Sequence, residues 1–138
     1  MKFTGRAWTF GDNVCGDDGI IQFSSIGDLA VYDEPALRAQ CFQAIEPAFV
    51  GEVRAGDLIV AGENFAHHSH PHVCVALKCS GIAAVVVESC DSHFVRKSLN
   101  IGLPVVVCPG IAGLVARFDE VELDIAAGTV RNGASGRS

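Results

Sequence analysis

Between residues 58 and 108 the chain alternates short unbroken apolar runs with segments whose apolar residues recur at helical spacing. The runs are Leu58-Ile59-Val60-Ala61, Ile82 to Val87, and Pro104 to Cys108. Each lacks the polar alternation of a half-exposed strand, so each is expected as a strand buried on both faces. The first intervening segment opens as a helix at Pro71, with Ser69 or His70 as its N-cap, and runs to about Ser80 before stopping at Gly81. The second is capped by Asp91 or Ser92, carries Phe94, Val95 and Leu99, and closes near Gly102. Strand, helix, strand, helix, strand implies parallel βαβ units with right-handed crossovers.

The flanks are patterned differently. Lys2 to Phe10 alternates loosely, as a first strand does, and runs into Gly11 to Gly19, a loop dense in Gly, Asp and Asn. Ile20-Ile21-Gln22-Phe23 is expected as a short buried strand or turn, and Ser24 to Asp28 as a loop. Asp33-Glu34-Pro35 opens a helix with Leu37, Cys41, Phe42 and Ile45 on one face, ended by Glu46-Pro47. Arg54 to Asp57 is a turn. Phe118 to Ala126 alternates charge with hydrophobe, as a half-exposed strand, and Gly128-Thr129-Val130 makes a turn and a last short strand. The expected organisation is one domain over residues 1–131, long enough for its own core, and a disordered tail over 132–138.

Composition narrows the function classes. Apolar residues make up 49% of the chain, and mean hydropathy is positive. Either both sheet faces are covered, or a partner covers part of the surface. The net charge of −6 argues against nucleic acid and anionic membranes as partners. No apolar run approaches the roughly 18 residues of a membrane span, and the first residues do not form a signal peptide, so the expected location is cytoplasmic. Six cysteines occur without any C-x-x-C pair, mostly inside apolar runs. They are expected as reduced thiols acting as small hydrophobes, and they do not make up the ligand set of an iron–sulfur cluster.

The chemistry concentrates in Gly62 to His72, which holds His67, His68, His70 and His72 with Ser69 and Pro71. Its place between an apolar strand and a helix is where α/β proteins keep functional loops. The histidines permit a metal-binding module. Neighbouring loop histidines diverge, however, and no Asp, Glu or Cys ligand stands beside them, so no metal is assigned. Acid–base work or anion binding by His70 or His72 is the alternative.

Several ordered motifs resemble the small subunit, or swivel domain, of the isopropylmalate dehydratase and aconitase superfamily. Gly11-Asp12-Asn13 with Asp17 or Asp18 and Ile20-Ile21 is similar to its G-D-N-x-N-T-D-x-I-I. Gly56-Asp57-Leu58-Ile59-Val60-Ala61-Gly62-Glu63-Asn64-Phe65 is similar to G-D-x-I-V-A-G-x-N-F. Ser89, Phe94, Arg96 and Asn100 to Val105 resemble S-F-x-x-I-F-x-R-N-x-x-N-x-G-L-P-V. The resemblance covers about residues 5 to 127. It implies an α/β fold, a swivel-like three-layer β/β/α domain with a mostly parallel sheet. It also implies a hydro-lyase small subunit that is inactive alone, bringing a base-bearing loop to a hydroxy acid or carboxylate substrate. The large subunit would carry a 4Fe–4S cluster whose iron acts as Lewis acid on the leaving hydroxyl.

In the family the loop after N-F reads G-x-G-S-S-R-E-H, with the first Ser as base and the Arg holding a substrate carboxylate. Counting on from Asn64-Phe65 places Ser69 on that Ser, Ala66 and His68 on the glycines, His70 on the second Ser and Pro71 on the Arg. Counting back from Ala76-Leu77 makes the loop one residue short, with His72 on the family's His. By resemblance Ser69 is the catalytic residue, and Asn64, His68, His70, His72 and Asp17 are the substrate-binding candidates. The loop contains no arginine. Its absence implies a substrate unlike the usual malate-type diacids, or a swivel-domain protein that binds or regulates without catalysis.

Overall fold

A computed structural model describes residues 2–22, 24, 33–125 and 129–132. One six-stranded sheet runs through it in the order β4-β3-β2-β1-β5-β6. Strands β1 (Lys2–Thr9), β2 (Leu58–Ala61), β3 (Ala84–Val87) and β4 (Val105–Val107) are parallel, while β5 (Glu120–Asp124) and β6 (Thr129–Asn132) add on antiparallel. The βαβ run is as expected, with α3 (Pro71–Cys79) between β2 and β3 and α4 (Ser92–Asn100) between β3 and β4. Pro71 starts α3 because its missing N–H would be unsatisfied there anyway.

Alternation along the buried strands sorts side chains into two cores. Ile59, Ala61, Val85 and Val87 face the helices, packed with Leu37, Val73, Leu77 and Phe94. Leu58, Val60, Ala84 and Val86 face the opposite way and meet Val121, Leu123 and Val130 of β5 and β6. The eight-residue β1 joins the two layers. Its first half, Lys2 to Arg6, pairs with β5, and its second half, Ala7 to Thr9, pairs with β2. The sheet therefore folds over its own back, and the domain has the three layers β/β/α.

One buried charge sits at the entry to β2. Asp57 is buried, and its Oδ2 accepts from Arg6 NH2, Trp8 Nε1 and the Arg54 N–H, each at 2.9 Å. Burial alone would push its pKa up. The Arg6 guanidinium, the Arg54 amide and the Trp8 indole together outweigh that and hold it below the ordinary value.

Several expectations are corrected. Of the two alternatives for Ile20-Ile21-Gln22 the buried turn holds, since Gly16–Ile20 form a π-helical turn that was not expected. Helix α1 (Glu34–Gln40) ends well before Glu46 because Phe42 takes a left-handed φ of 58° and donates its N–H to Ile20 O. Ile45 is consequently 45% exposed rather than on the buried face. Strand β3 starts at Ala84, and β4 is only partly covered because it is the sheet edge. Two one-turn helices were not expected, α2 (Phe49–Glu52) and α5 (Ile111–Leu114). Asn132, assigned to the tail, is buried in β6 and donates to Leu114 O and Asp119 Oδ2. The loop expected at Ser24 to Asp28 falls almost wholly outside the described residues, as does the rest of the tail. Among the described residues no helix is long and apolar enough to cross a membrane.

Candidate active site

The histidine loop lies beyond the C-terminal end of β2, flanked by the segments that follow β1 and β3. The first flank is a ladder of backbone bonds: Gly62 N–H to Gly11 O, Asn13 N–H to Glu63 O, Ala66 N–H to Val14 O, Gly16 N–H to His67 O and Asp17 N–H to His68 O. On the other side Ser89 accepts twice, its Oγ from Asn64 N–H and its carbonyl from Phe65 N–H. Asp12 Oδ1 takes the Glu63 N–H at 2.8 Å, and a Cβ on Gly62 would lie 1.9 Å from that same oxygen. The loop is thus an irregular continuation of the parallel sheet, held from both sides.

Its path is strained. Asn64, Ala66 and His68 all adopt left-handed φ, at 57°, 58° and 52°. Ala66 and His68 are the two positions at which the resemblance places glycines. Glycine adopts this conformation freely, whereas other L-residues are disfavoured by roughly 1–2 kcal/mol. His68 is exposed, so little packing offsets the strain. His68→Gly is therefore expected to raise the unfolding free energy by about 1 kcal/mol, measured by denaturant midpoint. A lower midpoint would show that the His68 ring holds the loop.

Ser69 ends the strained stretch. Its hydroxyl donates to Ala66 O, and Gly16 lies so close that a Cβ there would be 2.1 Å from Ser69 Oγ and 3.1 Å from its Cα. His70 is the N-cap of α3. Its side chain makes no cap bond, and Asp17, outside the helix, holds His70 itself in place. Asp17 Oδ1 accepts from His70 N–H at 3.0 Å, and Asp17 Oδ2 accepts from His70 Nδ1–H at 2.8 Å. With His70 N–H occupied by Asp17 and Pro71 lacking one, neither of the two residues after Ser69 offers its alkoxide a backbone donor.

Positive charge comes instead from α4. Phe65 and Phe94 pack edge to face with centroids 5.8 Å apart, which brings α4 against the loop. Lys97, one turn beyond Phe94, sends Nζ to Ser69 O at 2.6 Å. Ala66, His68, Ser69, Asp91, His93, Phe94 and Lys97 line a cleft of about 280 Å³. Asp91 caps α4 by accepting from His93 N–H at 2.6 Å, and also accepts from His93 Nδ1–H at 3.0 Å. The backbone bond from His93 leads the causes that hold the Asp91 carboxyl below its usual pKa.

Of the sequence candidates, the cleft brings together Ser69 and His68. Asn64 bonds Asn13 through its side chain, Asp17 and His70 pair beside the cleft, and His72 is buried under α3. Lys97 and His93 were missed as cleft residues. Counting on from Arg96 puts Lys97 on the Asn of the motif's R-N pair, so the substitution was visible in the sequence.

A cluster or metal finds no home here. Among the described residues no group of three His, Cys, Asp or Glu could hold a metal ion. The six cysteines are free, two buried and four half-buried. Burial pushes the Cys41 thiol up to about 12, partly offset by a hydrogen bond with Ser80, and also raises Cys74, Cys79 and Cys90. This chain's thiols do not fit a 4Fe–4S cluster.

No family model matches the sequence. A search of characterised proteins finds the 3-isopropylmalate dehydratase small subunit 1 of Methanopyrus kandleri, 40% identical over 129 residues, covering 93% of this chain and 74% of that protein. This chain belongs to the isopropylmalate dehydratase small-subunit family. The 2,3-dimethylmalate dehydratase small subunit of Eubacterium barkeri is 35% identical over 139 residues, covering 100% of this chain and 83% of that one. The crystal structure of 3-isopropylmalate dehydratase from Methanocaldococcus jannaschii superposes with a TM-score of 0.86 at 31% identity, over 99% of this chain and 78% of that one. The fold and family implied by the ordered motifs both hold, and the small-subunit family supplies the context in which the Ser69 cleft is read.

Proposed function

We propose that this small subunit of a heteromeric hydro-lyase acts on an alkyl-substituted malate, with Ser69 as the base. Two relatives are named for such substrates, isopropylmalate and 2,3-dimethylmalate, and they favour a malate-type diacid over the different substrate that the missing arginine led us to expect. The observation that carries the reading is the placement of Ser69 on the cleft wall, its carbonyl held by the Lys97 ammonium at 2.6 Å.

In the elimination, Ser69 Oγ takes a proton from the carbon next to the hydroxyl-bearing carbon. The C–H electron pair becomes the new C=C bond, the C–O bond breaks with its electron pair on oxygen, and the departing hydroxide takes a proton from a histidine of the cleft wall, His68 or His93, to leave as water. For Ser69 to accept a proton it must be held as alkoxide, which a nearby fixed positive charge favours in a site closed to water. Lys97 supplies that charge from this chain, and a large subunit seated over the open cleft excludes the water. The 4Fe–4S cluster is assigned to that large subunit, since this chain has no ligand set for it. The location is expected to be cytoplasmic.

Co-expression with the cluster-bearing large subunit tests the assignment. The purified pair is expected to dehydrate an alkyl-substituted malate, followed by absorbance of the unsaturated acid, while the isolated chain gives no turnover. Turnover by the isolated chain, or a loaded pair inert toward every substituted malate, would reject it.

A further inference from the structure

We infer that Lys97 anchors a substrate carboxylate in this site, in place of the cation that Gly62 to His72 lacks. The inference rests on the function proposed above for its choice of ligand, a short dicarboxylate, and on geometry for its location.

Lys97 is the single Lys or Arg among the described residues that line the cleft. It projects from the middle of α4, half-buried, with the ammonium at Ser69 O. An ammonium has three donors. One is committed to the Ser69 carbonyl, which leaves two for a ligand in the cleft. The other charged wall residue, Asp91, accepts from the His93 amide and the His93 ring through one oxygen, Oδ1, and keeps its negative charge. An anion entering the cleft therefore meets the Lys97 ammonium, the side chains of His68 and His93, the Ser69 hydroxyl and the Asp91 carboxylate, whose repulsion directs it to the Lys97 side. The volume also limits the ligand. Drug-sized ligands occupy pockets from about 300 Å³ upward, so the roughly 280 Å³ here suits a small diacid.

The bond from Nζ to the Ser69 carbonyl has a second consequence. The carboxylate anchor and the proposed base are connected through one residue, so binding a carboxylate on Lys97 fixes the distance between that carboxylate and Ser69 Oγ. The C–H carbon of a malate, adjacent to a carboxylate-bearing carbon, is then presented to the base by the same contact that binds it. A point charge on a flexible stem imposes less on carboxylate orientation than the planar fork of an arginine. Tolerance of different alkyl substituents beside the anchored carboxylate is the expected outcome.

A tether role alone, in which Lys97 merely holds the Ser69 carbonyl, separates cleanly from an anchor role. Lys97→Gln keeps an N–H donor for that carbonyl and loses the charge, whereas Lys97→Arg keeps both. The first test is a backbone-amide NMR titration of the full chain with succinate, a diacid without a leaving hydroxyl, against chloride at matched ionic strength. Saturable shifts at residues 66–69 and 93–97 are expected in the wild type and in Lys97→Arg, and their loss in Lys97→Gln. No saturable shift in the wild type, or shifts that survive in Lys97→Gln, would overturn the anchor. The second test is steady-state kinetics of the assembled enzyme. Losing a charged hydrogen bond typically costs on the order of 10- to 100-fold in affinity, so Lys97→Gln is expected to raise KM by that factor and, because the charge beside Ser69 is lost with it, to lower kcat as well, while Lys97→Arg stays close to wild type on both. An unchanged KM in Lys97→Gln rejects the proposal. If the assembled wild type turns over no malate, the proposed function fails, while the succinate titration still decides the role of Lys97.

Discussion

In the assembled enzyme, Ser69→Ala is expected to lower kcat by about 10²- to 10⁴-fold, the usual contribution of a positioned acid or base. The variant loses one hydrogen bond, from Oγ to Ala66 O, worth roughly 1 kcal/mol. That is too little to unfold a domain whose loop is held by backbone bonds on both sides, so the loss of turnover reads as lost chemistry. KM is expected to change little, because the carboxylate contact lies on Lys97. Gly16→Ala supplies the complementary control. It leaves Ser69 intact, but the new Cβ would sit 2.1 Å from Oγ and 3.1 Å from the Ser69 backbone, so the loop itself must shift. Misplacing a reacting group by about 1 Å costs on the order of 10²-fold. Loss in both variants, with thermal unfolding near wild type, identifies Ser69 and its placement as what matters. Full kcat in Ser69→Ala would move the base to His68 or His93.

The second large effect is on stability. Asp57→Ala is expected to destabilise the fold by about 3–5 kcal/mol, the range for removing one partner of a buried charge pair. The change removes the acceptor of the buried Trp8 indole N–H and of the Arg54 amide, while the partly exposed Arg6 guanidinium keeps Glu52 O. Urea unfolding at neutral pH measures it directly, and a change under 1 kcal/mol would mean the two donors find other acceptors. The same group sets an acid limit. Its folded pKa lies below the ordinary value of 3.8, so its contribution is fully present above about pH 4 and is lost as pH falls through the folded value. In Asp57→Ala this segment of the pH–stability curve should flatten.

The central βαβ run was legible because continuous apolar strands and capped helices follow from local chemistry. Leu58 to Ala61, Pro71 to Cys79 and Asp91 to Asn100 stand where side-chain patterning puts them. Misreadings gather where a distant contact overrules local preference. Helical spacing extends past Gln40, but Phe42 turns into the left-handed region to bond Ile20 across the core. The turn at Gly16–Ile20 has an unremarkable turn composition and gains its shape from the histidine loop beside it. At the site, the serine was found by counting along a motif. The lysine was not, because it stands 28 positions away and only the packing of Phe65 on Phe94 shows that α4 reaches the loop. His72 looked available in the sequence, yet the second residue of α3 points into the core.

The bonds that shape the Ser69 loop lie mostly outside it, in Gly11 to Asp17 and at Ser89. Instructions for the backbone path are therefore separable from the residues that travel along it. Such a site can exchange its interior side chains, glycine for histidine or arginine for proline, and still deliver a serine to the same point. The practical corollary concerns grafting. A foreign loop sequence of matched length should adopt this path wherever Asp12, Gly16, Asp17 and Ser89 are carried with it, and should lose it wherever they are left behind.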